Sequence, residues 1–367
     1  MPNRIRFVMI GGFLGAGKTT TLAQLANHFQ RQGKHVAIVT NDQATDLVDT
    51  QLLKSYGYDV EEVAGSCFCC NFNGLTDAMG AFDKRQRPDI ILAEPVGSCT
   101  DLVATVAMPM SNLLGEHFDI APYAVVLKPS HGLKILSGTG RGFSPKAEYI
   151  FRKQLEEADI LLINRIDELD PAAVDELQRL LEQQYPGRAI LRMSAKSGQN
   201  IDQLAAALNQ PRSARAHMME VDYDVYAEGE AELGWLNASV TVTADEAFVL
   251  DQYLMDLVDE LRLRLDDEEA ETAHLKVIGQ SDGNSAVVNL VSSDTPVTLS
   301  LASEVSTRQA DLVINARVAI DPVVLQTLVE QAVAKVSAIY VTDAQIVSVQ
   351  SFRPGRPVPT HRVENAV

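Results

Sequence analysis

A phosphate-binding pattern lies near the start of the chain. Residues 12–19 read GFLGAGKT and match G-x-x-x-x-G-K-[ST]. In this pattern the glycines let backbone N–H groups surround phosphates, the lysine holds the terminal phosphates, and the hydroxyl of Thr19 would ligate magnesium. A glycine-rich turn without a ligand is the alternative interpretation. The residues predicted to contact the nucleotide are Gly12, Gly15, Ala16, Gly17, Lys18, Thr19 and Thr20.

Two loops farther along the chain indicate guanine as the base. Residues 164–167 match N-[KR]-x-D, in which the Asp167 carboxylate can accept hydrogen bonds from N1 and N2 of guanine. Backbone N–H groups of residues 194–196 can meet the guanine O6. GTP and GDP are therefore the predicted ligands, although N-R-x-D alone is also typical of a helix-capping turn. The predicted base-contacting residues are Asn164, Asp167, Ser194, Ala195 and Lys196.

An acidic residue ends another predicted strand, in the sequence Glu94-Pro95-Val96-Gly97. Glu94 can position magnesium or its water, and the Gly97 N–H can face the γ-phosphate. Together with Lys18 they form the predicted catalytic set. Asp42, which follows the second predicted strand, is a further magnesium candidate or part of an Asx turn. Because no arginine finger can be assigned within the chain, slow intrinsic hydrolysis is expected.

Three of the four cysteines lie within four residues, in Cys67-Phe68-Cys69-Cys70. This spacing suits a soft metal such as zinc, cobalt(II) or copper(I) better than disulfides within the cluster. Adjacent Cys69 and Cys70 are not expected to ligate one ion together in a relaxed backbone, so two thiolates and outside ligands are predicted. Cys99 is the natural outside ligand. A redox sensor or buried structural cysteines, and for Cys99 a small buried apolar residue, are the alternatives.

Short β-branched runs alternate with helical patterns from residue 5 to about residue 210. This alternation predicts an α/β fold of the P-loop NTPase type, with a mostly parallel sheet and helices on both faces. The predicted strands are Arg6 to Ile10, His35 to Thr40, Asp89 to Ala93, Tyr123 to Lys128, Ile160 to Asn164 and Ala189 to Met193. The predicted helices are Thr19 to Gln32, Phe72 to Lys84, Pro145 to Ala158, Ala172 to Tyr185 and Ile201 to Leu208.

The sequence predicts a P-loop domain over residues 1–210, a linker over 211–234, a smaller α+β domain over 235–350 and a poorly ordered tail over 351–367. In the α+β domain the predicted strands are Leu236 to Thr243, His274 to Ile278, Ser285 to Val291 and Leu312 to Ala319. The predicted helices there are Asp245 to about Glu269 and Asp321 to Ala338.

The charge balance excludes some partners. With 31 Lys and Arg against 49 Asp and Glu, the net charge is −18, which disfavours binding to nucleic acid or to anionic membranes. No segment approaches the roughly 20 apolar residues of a membrane span, and the apolar start is too short for a signal peptide. Since the clustered cysteines favour metal binding over disulfides, a reducing, cytoplasmic setting is expected.

Taken together, these motifs resemble the CobW-type GTPases, relatives of the nickel-enzyme maturation factors HypB and UreG. The resemblance covers roughly residues 5–210, and C-x-C-C with glutamate at position 94 separates this branch from ordinary GTPases. It rests on residues 12–19, 41–42, 67–70, 94–97, 154–159 and 164–167. It implies a GTP-dependent metallochaperone or metal insertase for zinc, cobalt or nickel, with a client metalloprotein and homodimerisation.

The chain departs from the family pattern in three ways. Its seven histidines are scattered rather than gathered in one segment, Arg165 stands where lysine is usual, and residues 94–101 contain an added proline and cysteine. The predicted function is a GTP-binding and GTP-hydrolysing metallochaperone that delivers its metal under nucleotide control. A GTP-dependent metal or redox sensor, and an accessory reactivase for a cobalamin-dependent enzyme, remain alternatives.

Overall fold

The computed structural model describes residues 4–41, 48–138, 144–212, 218–293 and 295–364. The chain divides into two compact units. The first consists of Met1–Gln43, Gly57–Ala227 and Arg356–Val367. The second consists of Ala44–Tyr56 and Glu228–Gly355. Within the described ranges, every helix is too short or too polar to cross a membrane.

An eight-stranded sheet forms the centre of the first unit as far as that unit is described. Its strands are β1 (Ile5–Gly11), β2 (Val36–Asn41), β3 (Asp59–Val63), β4 (Ile90–Glu94), β5 (Phe118–Ile120), β6 (Ala124–Leu127), β7 (Ile160–Ile163) and β8 (Ala189–Arg192). They pair in parallel in the order β3-β2-β4-β1-β6-β7-β8, with β5 beside β1. Strands β2, β4, β6 and β7 are buried along their whole length, as expected for a sheet covered on both faces. The predicted fold class is confirmed.

Helices connect these strands. They are α1 (Lys18–Arg31), α3 (Phe72–Arg85), α4 (Met108–Leu114), α5 (Pro129–Leu136), α6 (Pro145–Glu157), α7 (Pro171–Gln184) and α8 (Ile201–Leu208), with a π-helical segment at Val103–Ala107. A further helix, α9 (Tyr223–Ala231), lies inside the stretch predicted to be a linker. The sequence does not predict this helix, because its apolar residues show little helical periodicity, although Tyr226 is fully buried.

The second unit contains, among its described residues, a six-stranded antiparallel sheet. Its strands are β9 (Gly234–Val249), β10 (Thr272–Ser281), β11 (Asn284–Leu290), β12 (Thr298–Leu301), β13 (Ser306–Val318) and β14 (Asp343–Phe352), in the order β12-β11-β10-β13-β9-β14. Helices α10 (Leu250–Asp267) and α11 (Pro322–Tyr340) share one apolar core with the sheet.

The opposite face of this sheet receives a helix from a distant part of the chain. Helix α2 (Val48–Ser55) follows β2 in sequence but belongs to the second unit. Its Leu52 packs against Ile278, Val287 and Val313, and Asp49 pairs with Lys276. Because side chains alternate across a strand, this cluster lies on the face opposite the main core. The domain boundaries predicted from sequence place this helix in the first domain, because they follow the order of the chain.

In the second unit, one predicted helix begins later than expected and one strand was not predicted. The helix expected from Asp245 begins at Leu250, because β9 continues to Val249 and pairs there with Ser306 of β13. Strand β14 was not predicted, since it lies at the sheet edge and its residues are half-buried or exposed. Its pairing with β9, which no local pattern specifies, determines that it is a strand.

The predicted tail begins with the end of β14, and its described residues from Arg356 onward are part of the first unit. The N–H of Thr360 donates to Cys69 O at 2.8 Å, and the N–H of Val363 donates to Ala104 O at 2.9 Å. Arg362 Nε donates to Asp101 Oδ2 at 2.7 Å. The N–H of Val358 also donates to Cys70 Sγ at 3.3 Å. Long-range hydrogen bonds therefore place a segment whose proline-rich composition predicts disorder.

Candidate nucleotide and metal site

The phosphate-binding loop connects β1 to α1, and its glycines are required by geometry. Gly12 and Gly17 have φ values of 134° and 97°, in the region that favours glycine. A Cβ at Gly12 would lie 2.2 Å from Val126 O, and one at Gly17 would lie 2.5 Å from Asn164 Nδ2. Helix α1 begins at Lys18, so its N-terminal N–H groups and the positive end of its dipole lie at this loop. The loop has the form expected of a phosphate cradle.

Four residues of the predicted catalytic and magnesium sets meet beside the loop. Thr19 Oγ1 donates to Glu94 Oε1 at 3.0 Å. A Cβ at Gly97 would lie 3.0 Å from Lys18 Nζ. Lys18, Thr19 and Glu94 are all buried, whereas Thr20 is exposed. A hydroxyl and a carboxylate oxygen side by side are the hard donors that magnesium prefers, so this pair fits that ion.

Asn164 connects the loop after β7 to two other loops. Its Nδ2 donates to Ala16 O at 2.8 Å, and its Oδ1 accepts the N–H of Ala195 at 2.9 Å. The neighbouring N–H of Ser194 donates to Gln199 O at 3.2 Å. These bonds engage two of the N–H groups that the sequence assigns to guanine O6, so Asn164 acts first as a connector between loops.

The charged members of the predicted base site are exposed. Asp167 and Lys196 lie at the surface beyond Asn164, on loops that the Ile166 N–H to Met193 O hydrogen bond of 3.4 Å holds together. Arg165 has a φ of 60° and pairs with Glu168 at 3.3 Å. An exposed carboxylate next to Asn164 can accept hydrogen bonds from a ligand.

Three cysteine sulfurs converge after β3. Cys67 Sγ lies 3.0 Å from Cys69 Sγ and 3.4 Å from Cys70 Sγ, and the last two are 3.6 Å apart. The turn is closed by the N–H groups of Cys70 and Asn71, which both donate to Cys67 O. The sequence predicted that two of the three would face one ion, because adjacent cysteines cannot easily both ligate in a relaxed backbone. The turn brings all three sulfurs within 4.8 Å of one another.

Asn41 at the end of β2 fixes the start of this turn. Its Nδ2 donates to Val63 O at 2.7 Å and to Ser66 O at 2.8 Å, and its Oδ1 accepts the N–H of Phe68 at 2.8 Å. Asp42, the predicted magnesium candidate beside it, lies outside the described residues. The Asn41-Asp42 pair therefore contributes at least one residue that positions the cysteines.

Cys99, on the loop after β4, interacts with the cluster but is not among the three sulfurs that lie within 4.8 Å of one another. Hydrogen bonding from Cys69, Cys70 and Cys99 lowers the pKa of the Cys67 thiol well below its usual value. The same contact with Cys67 raises the pKa of Cys69 and raises that of Cys70 to about 11. Cys67 is therefore the thiol that ionises first, and the other three thiols stabilise its negative charge.

Helix α6 holds the chain that leaves this loop. Glu157 accepts hydrogen bonds from Thr100 Oγ1 at 3.2 Å and from the N–H of Val103 at 3.0 Å. Complete burial raises the pKa of Glu157 to about 8. Asp159 accepts hydrogen bonds from the N–H of Tyr123 at 2.8 Å and from Arg212 Nε at 2.9 Å. Sequence analysis noted these carboxylates only as part of a motif.

The fold and the phosphate loop define a P-loop nucleotide-binding protein. The sequence profile described as "CobW/HypB/UreG, nucleotide-binding domain" matches residues 6–192, just over half of the chain. The chain therefore belongs to the CobW/HypB/UreG family, as the motifs predicted.

Curated relatives include two zinc chaperones. The chain is 30% identical to the zinc chaperone YeiR of Escherichia coli (strain K12) over 187 residues, which cover 50% of this chain and 53% of YeiR. It is 25% identical to the zinc chaperone CobW of a Sinorhizobium species over 192 residues, which cover 47% of this chain and 53% of that protein. The chain thus spans about half the length of the curated relatives it matches.

Solved structures with some similarity include two metal-bound proteins. The Zn(II)-bound YjiA GTPase from E. coli is 15% identical, with 86% of this chain and 94% of YjiA covered and a TM-score of 0.37. HypB from Helicobacter pylori in complex with nickel is 16% identical, with 55% and 84% covered and a TM-score of 0.41. Neither likeness is close enough to carry an argument about function.

Proposed function

We propose that this protein binds and hydrolyses GTP and uses the nucleotide state to control a transition metal ion bound by the cysteine cluster, for delivery to a client metalloprotein. One observation carries the proposal. The segment from Glu94 to Cys99 contacts the phosphate loop at one end and the thiols at the other, through Thr19 Oγ1 and through Cys67 and Cys69. A connection of six residues can transmit a change at the phosphates to the metal ligands.

The nucleotide half of the site has defined roles. Lys18 would hold the terminal phosphates, and the backbone of residues 12–17 would surround them. Thr19 and Glu94 would hold magnesium, which would supply positive charge to neutralise the phosphates. Glu94 would also orient the attacking water, and Gly97 would face the γ-phosphate. Asp167 would accept hydrogen bonds from guanine. The N–H of Lys196 would donate to guanine O6, since the N–H groups of Ser194 and Ala195 already donate within the protein.

The metal is cargo rather than a resident cofactor. Thiolate sulfurs select soft or borderline ions, and four of them in a tetrahedral arrangement suit zinc and cobalt(II). Zinc is favoured over nickel by this donor set and by the similarity to zinc chaperones. Because Cys67 ionises readily, loading begins there and displaces protons from Cys69 and Cys70. The client protein would have its own empty metal site. The compartment would be reducing and cytoplasmic, and the protein would be a homodimer.

A competition titration tests the proposal. Zinc or cobalt(II) is titrated against a chromophoric chelator under reducing conditions, with the protein loaded with magnesium and either GDP or a non-hydrolysable GTP analogue. Metal affinity should differ by about tenfold or more between the two states, which corresponds to about 1.4 kcal/mol of coupling. Cys69→Ser should abolish the tight site. Equal affinity in both states would refute nucleotide control.

A further inference from the structure

One side-chain amide of helix α6 binds both ends of a three-residue segment. Gln154 is buried, with 1% of its surface exposed. Its Nε2 donates to Gly97 O and to Cys99 O, each at 2.9 Å. The two protons of one NH₂ group are thus used on two carbonyls that lie two residues apart.

The Gly97 end of the segment is in close contact with the phosphate loop. A Cβ at Gly97 would lie 2.7 Å from Leu14 Cδ2 and 3.0 Å from Lys18 Nζ. A larger side chain at this position would require Leu14 or Lys18 to move. A shift of Lys18 on binding or losing a terminal phosphate would therefore change the packing against Gly97.

The Cys99 end of the segment is in contact with the thiols. The Cys99 thiol is hydrogen-bonded to Cys67 and Cys69, and the N–H of Cys99 closes a turn onto Val96 O at 3.0 Å. This turn and the Gln154 amide hold the backbone of Cys99, so a shift of Gly97 would be passed to the backbone that carries the sulfur. A buried donor left without an acceptor is unfavourable, so the amide follows its carbonyls when they shift.

We propose that Gln154 is the positioning residue that couples the nucleotide to the metal: its amide fixes the Cys99 sulfur in register with Gly97. This inference rests on the proposed function, because it names the residue through which nucleotide state reaches the thiols. The downstream chain is held separately by Glu157, which binds Thr100 and the N–H of Val103. Removal of the Gln154 amide therefore frees Cys99 without releasing the rest of the loop.

The test compares Gln154→Met with wild type. Methionine keeps most of the side-chain volume and lacks the donors, and Gln154→Ala serves as a second variant. Gln184→Ala is the matched control, since Gln184 Nε2 also donates to a backbone carbonyl, Leu136 O at 2.9 Å, elsewhere in the same unit. Cobalt(II) affinity is measured in the GDP state and in the GTP-analogue state, GTP affinity is measured separately, and thermal unfolding is followed for each protein.

In wild type and Gln184→Ala we expect the ratio of the two cobalt affinities to be about tenfold or more. In both Gln154 variants the ratio should fall to within about twofold, while GTP affinity stays within about threefold of wild type. The thiolate-to-cobalt charge-transfer absorption should fall by the contribution of one sulfur and match that of Cys99→Ser.

Three results would overturn the inference. A wild-type ratio retained in the Gln154 variants would show that coupling takes another route. Joint loss of nucleotide binding, metal binding and stability in both variants would make Gln154 a structural residue only. A wild-type protein with no dependence of metal affinity on nucleotide would remove the proposed function and this inference with it.

Discussion

Asn164 is hydrogen-bonded to Ala16 across 148 residues of sequence, with its Nδ2 donating to the alanine carbonyl at 2.8 Å. The same side chain accepts the N–H of Ala195 at 2.9 Å. A single buried amide thus connects the phosphate loop to both loops assigned to the base. The loops that would bind the phosphates and the base of a nucleotide are therefore fixed to each other.

Asn164→Ala should weaken nucleotide binding, because it leaves Ala16 O and the Ala195 N–H without their partner. We expect a loss of about 1–2 kcal/mol, or about 5- to 30-fold in the Kd for GTP and GDP alike. Isothermal titration calorimetry measures both. Asn209→Ala, at an exposed position after α8, is the control and should bind as wild type. An unchanged Kd for Asn164→Ala would show that the loops are held without this residue.

Glu94→Gln should slow GTP hydrolysis while leaving the fold intact. The glutamine carbonyl can still accept the Thr19 hydroxyl, but the negative charge expected to hold magnesium is lost. A roughly 100-fold fall in kcat is expected, typical of losing one electrostatic group at a reacting phosphate. Phosphate release under saturating GTP and magnesium measures it, with exposed Glu116→Gln as the control. A variant as fast as wild type would exclude Glu94 from catalysis.

Cys99→Ser separates a metal ligand from a buried apolar residue. Serine is close in size to cysteine but is a poor ligand for a soft ion, so the cobalt(II) complex should lose about one quarter of its thiolate charge-transfer intensity if four sulfurs bind. Metal affinity should fall by at least about tenfold. Titration of cobalt(II) followed by absorption spectroscopy gives both values. A spectrum identical to wild type would place Cys99 outside the ligand set.

Glu157 should make the stability of the protein depend on pH. Burial raises the pKa of Glu157 to about 8 in the folded state. In the unfolded state its pKa has the usual value of about 4.3. Between these values the native state binds a proton that the unfolded state lacks. The free energy of unfolding therefore falls as pH rises through this window and levels off above about pH 8.

Glu157→Gln should remove that dependence. Its amide can accept the Val103 N–H and donate to the Thr100 hydroxyl, since a hydroxyl both donates and accepts. At pH 8.5 the variant should be more stable than wild type by on the order of 1 kcal/mol, and the difference should shrink towards pH 5. Urea unfolding at several pH values measures this, with exposed Glu182→Gln as the control. Parallel pH profiles for variant and wild type would contradict the assignment.

The helix and strand pattern of the first unit could be predicted from sequence because its signals are local. Buried parallel strands read as short apolar runs, and helices show their own period, so each is specified by neighbouring residues. The phosphate loop is also local, since its glycines and Lys18 lie within one turn between β1 and α1. For the same reason the C-x-C-C cluster could be recognised, although its spacing could not show that a turn brings all three sulfurs together.

Other features required the tertiary structure. The placement of α2 in the second unit, the strand β14 and the hydrogen bonds of residues 358–363 depend on partners far away in sequence. The approach of Cys99 to Cys67 and the bonds of Gln154 to Gly97 and Cys99 are of the same kind. From sequence alone these residues are predicted to form a loop, a tail or ordinary buried side chains. A single polar group carries no periodic signal that would indicate its distant partner.

The sequence by itself determined which chemical groups are present and the order in which the strands and helices of the first unit carry them. The tertiary structure decided which of those groups meet. Hydrogen bonds such as Asn164 to Ala16 and Gln154 to Cys99 form only when packing of the sheet and helices brings distant segments within about 3 Å. That closeness is a property of the packed chain, and it is what joins a phosphate loop to a cluster of thiols.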